Sequence, residues 1–447
     1  MSTDTIYALA SGRGRAGIAV IRVSGADAHA AQRALTARDL PVRRAQRVDL
    51  RDPARDELLD QGLAIYFPAP ASFTGDDVVE LHVHGGAAVV AGVLEALGAQ
   101  AGLRMAEPGE FTRRGFLNGK IDLTAAEGVA DLVDAETAAQ RRQALRQMGG
   151  ALADFCEACR ARLVAALAHW EAAIDFSDEE LPADLEQNVV GDAISLAADI
   201  QAALADGRRG ERLRDGVEVA IVGPPNAGKS SLLNRIAKRD AAIVSETAGT
   251  TRDFVEVRAE LGGYPVILAD TAGLRDAGDA IEQEGVRRAL ARAAEADLKL
   301  VVLDGAVWPE IDPATRDLMD GAAMLALNKS DIAGSTGDGP VPDMQITPVS
   351  AKTGAGLDRL LDALEKRVAA IFEAGGAPVV TRARHREALA DAAAALGRFI
   401  AAEHRLANPE LAAEDLRLAG RALGRVTGRV DVEDLLDVIF SEFCIGK

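Results

Sequence analysis

Cysteine, long apolar runs and positive charge are what this chain lacks. Three cysteines in 447 residues exclude a disulfide framework. No apolar run approaches the roughly 18 residues of a membrane span, so no membrane association is expected. The first residues, Met1-Ser2-Thr3-Asp4, carry neither the basic start nor the apolar core of a secretion signal, and the cytoplasm is the expected compartment. Lys and Arg number 50 against 69 Asp and Glu, and the formal net charge of −19 argues against a chain that coats nucleic acid by itself. Arginine does cluster locally, from Arg13 and Arg15 through Arg43, Arg44 and Arg47 to Arg55, against few acids. A solvated charged face accounts for that cluster more simply than an RNA groove. An RNA ligand would draw much of its contact from a partner.

Hydrophobic residues make up 48% and charged residues 27%, the mixture of a soluble globular protein. A chain of 447 residues exceeds one core, so two to four domains are expected. Residues 1–120 read as mixed α and β, with strands at 17–23, 63–67 and 78–84 and helices at 26–35 and 89–99. Residues 121–209 change to Ala/Leu/Arg/Glu runs at helical spacing, with a second helix expected from Leu185 to Leu204 and a polar linker at Gly207-Arg208-Arg209-Gly210. Residues 210–376 return to an α/β pattern, and 377–447 are helical again, with helices at 384–405, 409–423 and 432–443. Helical texture on both sides of an α/β unit suggests a domain inserted into a helical one whose halves pack together.

The α/β stretch opens on Gly223-Pro224-Pro225-Asn226-Ala227-Gly228-Lys229-Ser230, a match to the phosphate-binding loop G-x-x-x-x-G-K-[ST]. The buried strand 217–222 leads into it, and a helix beginning at Ser231 leaves it, which is the context the motif requires. Glycines let backbone N–H groups curl around phosphate oxygens, and the helix adds its positive end. Lys229 would reach the β- and γ-phosphates, and the Ser230 hydroxyl would hold Mg²⁺.

Four further elements follow in the order that GTP-binding domains use. Gly249-Thr250-Thr251-Arg252-Asp253 precedes the strand 255–261, where a threonine hydroxyl would complete the Mg²⁺ shell and sense the γ-phosphate. The strand 265–269, after a Gly262-Gly263 hairpin turn, ends in Asp270-Thr271-Ala272-Gly273. Asp270 would hold Mg²⁺ through water, and the Gly273 amide would contact the γ-phosphate. Asn328-Lys329-Ser330-Asp331 supplies a carboxylate able to accept from both N1–H and the 2-amino group of guanine. Adenine lacks both donors, and an unpaired buried carboxylate costs on the order of several kcal/mol, so the ligand is read as GTP rather than ATP. Ser350-Ala351-Lys352 would finish the base pocket.

Leu274 follows D-x-x-G where Ras-type GTPases carry the glutamine that orients the attacking water. Leucine has no hydrogen-bonding group for that work. Arg252, Arg275 and Glu282 are the nearby candidates to replace it. The Asn226 carbonyl oxygen could instead hold a monovalent cation where an arginine finger's charge sits.

The chain as a whole resembles the MnmE (TrmE) family of tRNA-modification GTPases. The resemblance rests on Gly12-Arg13-Gly14 with Ile21-Arg22-Val23-Ser24-Gly25, on Ser72-Phe73-Thr74-Gly75-Asp76-Asp77, and on Pro108-Gly109-Glu110-Phe111-Thr112. It continues through Phe116 to Leu123 and ends at Phe443-Cys444-Ile445-Gly446-Lys447. It implies an N-terminal α+β domain that binds folate and dimerises, and an all-α helical domain with an inserted Ras-like, doubly wound GTPase domain. It implies a homodimer that works with the flavoprotein MnmG (GidA), as a heterotetramer or larger, on tRNA held mostly by that partner. The product implied is an aminomethyl or carboxymethylaminomethyl group at C5 of the wobble uridine, its carbon taken from 5-formyl- or methylene-tetrahydrofolate.

By the family pattern Arg22, Glu80, Lys120 and Lys447 would contact the folate. K⁺ would be held by Asn226, Ser245, Thr247 and Thr250, within the segment Ser245-Glu246-Thr247-Ala248, and Thr251 would join Ser230 on Mg²⁺. Glu282 would orient the attacking water. Cys444 is either a nucleophile toward C6 of uridine or a structural residue of the tail. His82-Val83-His84 departs from the family's usual Gln-Gly-His, and Pro224 from its usual Arg.

Cys156-Glu157-Ala158-Cys159 lacks a second ligand pair and reads as helix core rather than zinc. His82 and His84 share a strand face without an evident third ligand. Two other readings share the GTPase motifs: a ribosome-assembly switch, which would carry an RNA-binding appendage in place of residues 1–120, and a dynamin-like dimerising GTPase without one-carbon chemistry.

Overall fold

The computed structural model describes residues 4–175, 185–238, 255–270, 293–333, 344–373, 379–402, 405, 408–430, 433–441 and 443–447. Two compact units divide the chain. One gathers Met1–Ala130, Gln147–Ala168 and Leu416–Lys447, the other Asp131–Arg146 and His169–Asp415.

The first unit is built on a six-stranded sheet of β1 (Thr5–Leu9), β2 (Ala16–Ser24), β3 (Gln46–Arg51), β4 (Leu58–Phe67), β5 (Val78–Gly85) and β6 (Leu103–Met105), ordered β3-β4-β5-β2-β1-β6. Neighbours are antiparallel except β1 and β6. Side chains alternate between the faces of a strand. On one face Ile21, Val23, Val79, Leu81 and Val83 pack under α1 (Ala28–Thr36) and α2 (Ala87–Gly98). Arg22, Glu80 and His82 therefore fall on the other. There α3 (Glu110–Leu117) packs Phe111 against Ile6 and Ala8 of β1. The C-terminal helix Glu433–Ser441 joins the same unit, packing Leu436, Ile439 and Phe440 against Leu123 and Ala126 of α4 (Leu123–Asp134).

Buried charge pins α3 in place. Glu110 accepts from Arg104 (Nη2, 2.6 Å), from Arg114 (Nη2, 3.0 Å) and from the Glu107 amide (3.0 Å). Burial pushes the Glu110 carboxyl up, but these donors win and hold it below its ordinary range. Strands β1, β3 and β6 add to the three expected from the sequence, and of these only β1, Thr-Ile-Tyr-Ala-Leu, has a strand-forming composition. β3 interleaves Arg47 and Arg51 with Val48 and Leu50, and β6 has three residues.

In the second unit β7 (Val217–Val222), β8 (Val255–Leu261), β9 (Tyr264–Asp270), β10 (Leu298–Asp304), β11 (Ala323–Asn328) and β12 (Ile346–Pro348) form a sheet ordered β12-β11-β10-β7-β9-β8. All neighbours are parallel except β8 and β9, which meet through the turn Gly262-Gly263 at φ 60° and 85°. Both faces are buried. Val219 and Ile221 face Leu232 and Leu233 of α8 (Lys229–Ala237) and Leu360 and Leu364 of the helix Leu357–Glu373, while Ala220 and Val222 share the opposite core with Ala293 and with Leu303 of β10. A sheet covered on both sides explains the apolar runs at 219–222 in β7 and 300–303 in β10.

Helix α7 (Leu185–Asp215) corrects the sequence reading. It was expected to stop at Leu204, yet it runs through Gly207-Arg208-Arg209-Gly210 to within two residues of β7. Gly207 is there for close approach, since a Cβ would lie 3.2 Å from Val380, and Arg209 is buried beside Asp206. The helix ends only at Gly216, whose amide bonds the Arg212 carbonyl at φ 108°. The boundary expected between 209 and 210 thus falls inside a continuous helix. Segments from before and after the GTPase stretch pack together within this unit. Arg386 pairs with Glu211 at 3.0 Å, Arg405 with Glu186 at 2.9 Å, and Trp170 stands edge-on to Phe399 at 5.3 Å.

Candidate functional site

At the C-terminal end of β7 the chain turns sharply through Gly223 (φ 137°), where a Cβ would meet the Val302 carbonyl oxygen at 2.2 Å. Gly228 (φ 94°) precedes α8, and a Cβ there would lie 2.2 Å from Asn328 Nδ2. Both positions need glycine for space as well as for conformation. Lys229 begins α8, and its ammonium bends back over the loop to donate to the Gly223 and Pro224 carbonyls at 2.8 and 2.9 Å. Ser230 and Ser231 follow in the first helical turn, where amide N–H groups point outward for an anion. Asp270 is buried at the end of β9, register partner of Ile221 two residues before the loop. Asn226 adopts φ 60° at the loop's crest.

The base side is tied to this loop by one buried amide. Asn328 Nδ2 donates to the Ala227 carbonyl at 2.7 Å, and Asn328 Oδ1 accepts from the Ala351 amide at 2.9 Å. The Ser350 hydroxyl donates to Asp331 Oδ1 at 2.6 Å, and that bond holds the Asp331 carboxyl below its usual range. Lys352 adds a weaker attraction of the same sign. A charged, oriented carboxylate is what two guanine donors require. Asn226, Ala227, Gly228, Lys229, Ser230, Ser231, Asp270, Asn328, Lys329, Asp331, Ser350, Ala351 and Lys352 therefore come to one edge of one sheet. Ser245, Glu246, Thr247, Ala248, Gly249, Thr250, Thr251, Thr271, Ala272, Gly273 and Glu282 lie outside the described residues, as do Arg252, Leu274 and Arg275. One contact had no sequence signal: Lys329 Nζ bonds Asp304 Oδ2 at 2.6 Å.

The first unit holds a second polar constellation. Arg22 and Glu80 are cross-strand partners on β2 and β5, and Arg22 Nη2 and Nε lie 2.9 and 3.2 Å from Glu80 Oε1. The Phe73 and Phe111 rings stand 5.6 and 5.7 Å from the Arg22 guanidinium carbon. The Phe111 amide donates to the Lys447 carbonyl at 3.2 Å, which brings the chain's last residue to the same ring. Gly446 fits beneath because a Cβ would meet the Leu9 carbonyl oxygen. Lys120 is anchored by its ammonium to the Pro70 carbonyl at 2.9 Å, in the loop that carries Phe73. Phe73 and Phe111 carry no functional signal in the sequence; the loop before β5 and helix α3 lay them against the sheet face that carries Arg22.

Cys156 and Cys159 are buried on α6 (Ala151–Asp175), and Cys444 is exposed. His84 Nδ1 lies 2.8 Å from Asp60, and His82 Nε2 lies 3.5 Å from Glu80. Among the described residues no group of three His, Cys, Asp or Glu could hold a metal. Within the arginine cluster Arg33 pairs with Asp39, Arg51 with Asp56, and Arg55 with Asp52 and Glu95. Among the described residues no helix is long and apolar enough to cross a membrane.

A phosphate loop feeding a helix from a parallel strand, with an Asn-Lys-Ser-Asp base motif bonded to it, defines a P-loop GTPase. Family models extend this to the rest of the chain: the GTP-binding protein TrmE N-terminus matches residues 5–120, and the MnmE helical domain matches 123–444. The tRNA modification GTPase MnmE of Parvibaculum lavamentivorans is 60% identical over 99% of this chain and 100% of its own. Its counterparts in Paramagnetospirillum magneticum and Rhodospirillum rubrum are 58% and 55% identical over 100% of both chains. The chain belongs to the MnmE family. Among solved structures, the G domain of the T. maritima FeoB iron transporter matches 35% of this chain and 99% of its own at 23% identity, with a TM-score of 0.26. That score is too low to add to the fold described above.

Proposed function

We propose that this chain couples GTP hydrolysis to modification of tRNA in the cytoplasm. As a homodimer, and with the flavoprotein MnmG (GidA), it installs an aminomethyl or carboxymethylaminomethyl group at C5 of the wobble uridine, U34. The tRNA is held mostly by the partner, and the carbon comes from a 5-formyl- or methylene-tetrahydrofolate. The observation that carries the reading is the Arg22–Glu80 pair between Phe73 and Phe111, present in the same chain as the GTPase site. A carboxylate suits the donor edge of a 2-amino-4-oxo-pterin, the two rings suit its flat face, and Arg22, Lys120 and Lys447 suit the formyl oxygen and the glutamate tail. Cys444, exposed on the tail, is available for thiolate addition at C6 of uridine; the displaced electron pair would activate C5, and elimination would restore the thiol.

In the GTPase site the residues present fit Mg²⁺. Ser230 stands at the helix start and Asp270 at the end of the neighbouring strand, and Thr251 would be the switch-loop ligand. Mg²⁺ would neutralise charge between the β- and γ-phosphates. For K⁺ the chain offers Asn226, with Ser245, Thr247 and Thr250, at the junction of two paired G domains. Glu282 takes the place of the glutamine that Leu274 lacks. Two experiments test the proposal. Nucleoside analysis of tRNA from a deletion strain should show loss of the wobble modification, and unchanged nucleosides would refute it. GTP turnover should be faster in KCl than in NaCl, and equal rates would sink the potassium role alone.

A further inference from the structure

Among the residues gathered around the base motif, Asp304 has no role in the reaction described so far. It ends β10 as register partner of Asn328, and the Gly305 amide bonds the Asn328 carbonyl at 2.8 Å. Its carboxylate is fixed at both oxygens. Oδ1 accepts from the Ala306 amide at 3.0 Å, and Oδ2 accepts from Lys329 Nζ at 2.6 Å. Lys329 itself adopts φ 64°, a backbone conformation that a residue with a long side chain takes only when its surroundings impose it. The lysine thus stands between Asn328, which binds the phosphate loop, and Asp331, which would accept from the base. Both its backbone and its ammonium are held.

A lysine stem is apolar and its rotamers are many. Anchored at the ammonium, the four methylenes would form a fixed wall for a purine ring bonded to Asp331, two residues further along the chain. Released, the ammonium would swing to water and the wall would be lost. Lys329 is 31% exposed and Asp304 15%, so the pair is sheltered enough for the charge-assisted bond to matter. We infer that Asp304 is a positioning residue of the guanine-nucleotide site, acting through Lys329 to hold the lysine stem against the base. The inference rests on the GTPase reading of this site. It assigns Asp304 no contact with nucleotide or metal.

The test is a double-mutant cycle on the full-length chain with Mg²⁺, using N-methylanthraniloyl-GDP as the fluorescent probe. Asp304→Asn keeps the side chain's shape and its acceptor for the Ala306 amide while removing the charge. Lys329→Met keeps the apolar stem and removes the ammonium. Each single change should weaken GDP binding about tenfold, the size of one charge-assisted hydrogen bond. The double variant should bind no more weakly than Lys329→Met alone, because the aspartate acts only through the lysine. A general loss of structure would move the double variant further and would lower the thermal midpoint of all three. Wild-type affinity in Asp304→Asn would overturn the assignment, and so would a double variant weakened by the product of the two single factors. A wild-type chain that held ADP as tightly as GDP would overturn the guanine reading itself and the assignment with it.

Discussion

Each of the two units carries a six-stranded sheet, and the two sheets build their sites in different ways. The second unit's sheet is parallel but for one edge strand, so its strands end on one side and their loops meet there. The residues proposed for phosphate, metal and base come from the ends of β7, β9 and β11 and from the loop after β12, which is where open parallel sheets bind ligands. The first unit's sheet is antiparallel but for the short β6, and its strand ends point both ways. Its polar group lies instead on a face, with Arg22 and Glu80 side by side across two strands and α3 and the C-terminal tail laid beside them. A site at strand ends is spelled as contiguous motifs. A site on a face is spelled one residue at a time, from segments far apart in sequence.

The comparison can be broken at the covering layer of the face site. Glu110→Gln takes the nearest carboxylate from Arg114, only 10% exposed, leaving it Asp4 and Asp76 at 3.7 and 3.9 Å, and breaks the Arg104 pair as well; it should destabilise the first unit by about 3–5 kcal/mol in urea unfolding. GDP affinity should not change. The pH sign follows from the depressed Glu110 carboxyl. Its contribution is complete above the unfolded-state value and is lost as pH falls through the folded-state value. Wild type should therefore lose stability on acidification more steeply than Glu110→Gln; parallel curves would contradict the network's role.

Next in size is Lys229→Ala at the strand-end site. Losing the ammonium that now spans the loop should slow GTP turnover on the order of 10²–10³-fold. Tetrahydrofolate binding, measured by calorimetry, should be retained, and its loss would mean that the two sites are not separable in this way. The smallest effect is expected at Ser350→Ala. The Asp331 carboxylate keeps its place in the chain but loses its 2.6 Å donor, so GDP should bind about three- to tenfold more weakly. Without that donor its pKa rises, and the acid limb of GDP affinity should move to higher pH. An acid limb that stays where it was would remove Ser350 from the base pocket.

How much was legible follows the same division. The sequence made the GTPase site readable because each of its parts is a short run whose spacing is set by the turn it must make. Gly223 and Gly228 stand where a Cβ would strike Val302 or Asn328. Strand β3 was not readable, because its alternation rests on only two apolar residues, Val48 and Leu50, too few to stand out from chance. Helix α7 was misread at Gly207, since in sequence a glycine that admits a neighbour looks the same as one that ends a helix.

By itself the sequence determined the class of ligand, the order of elements in the GTPase unit and the likeness of the whole chain to one family, because those are written in contiguous residues. Only the tertiary structure decided what Arg22 pairs with, which rings flank it and that the chain's last residue reaches the same place. It also decided that Asp304 holds Lys329. These are contacts between strands and segments dozens to hundreds of residues apart. Register and packing bring such residues together, and neither is encoded in any one stretch of chain.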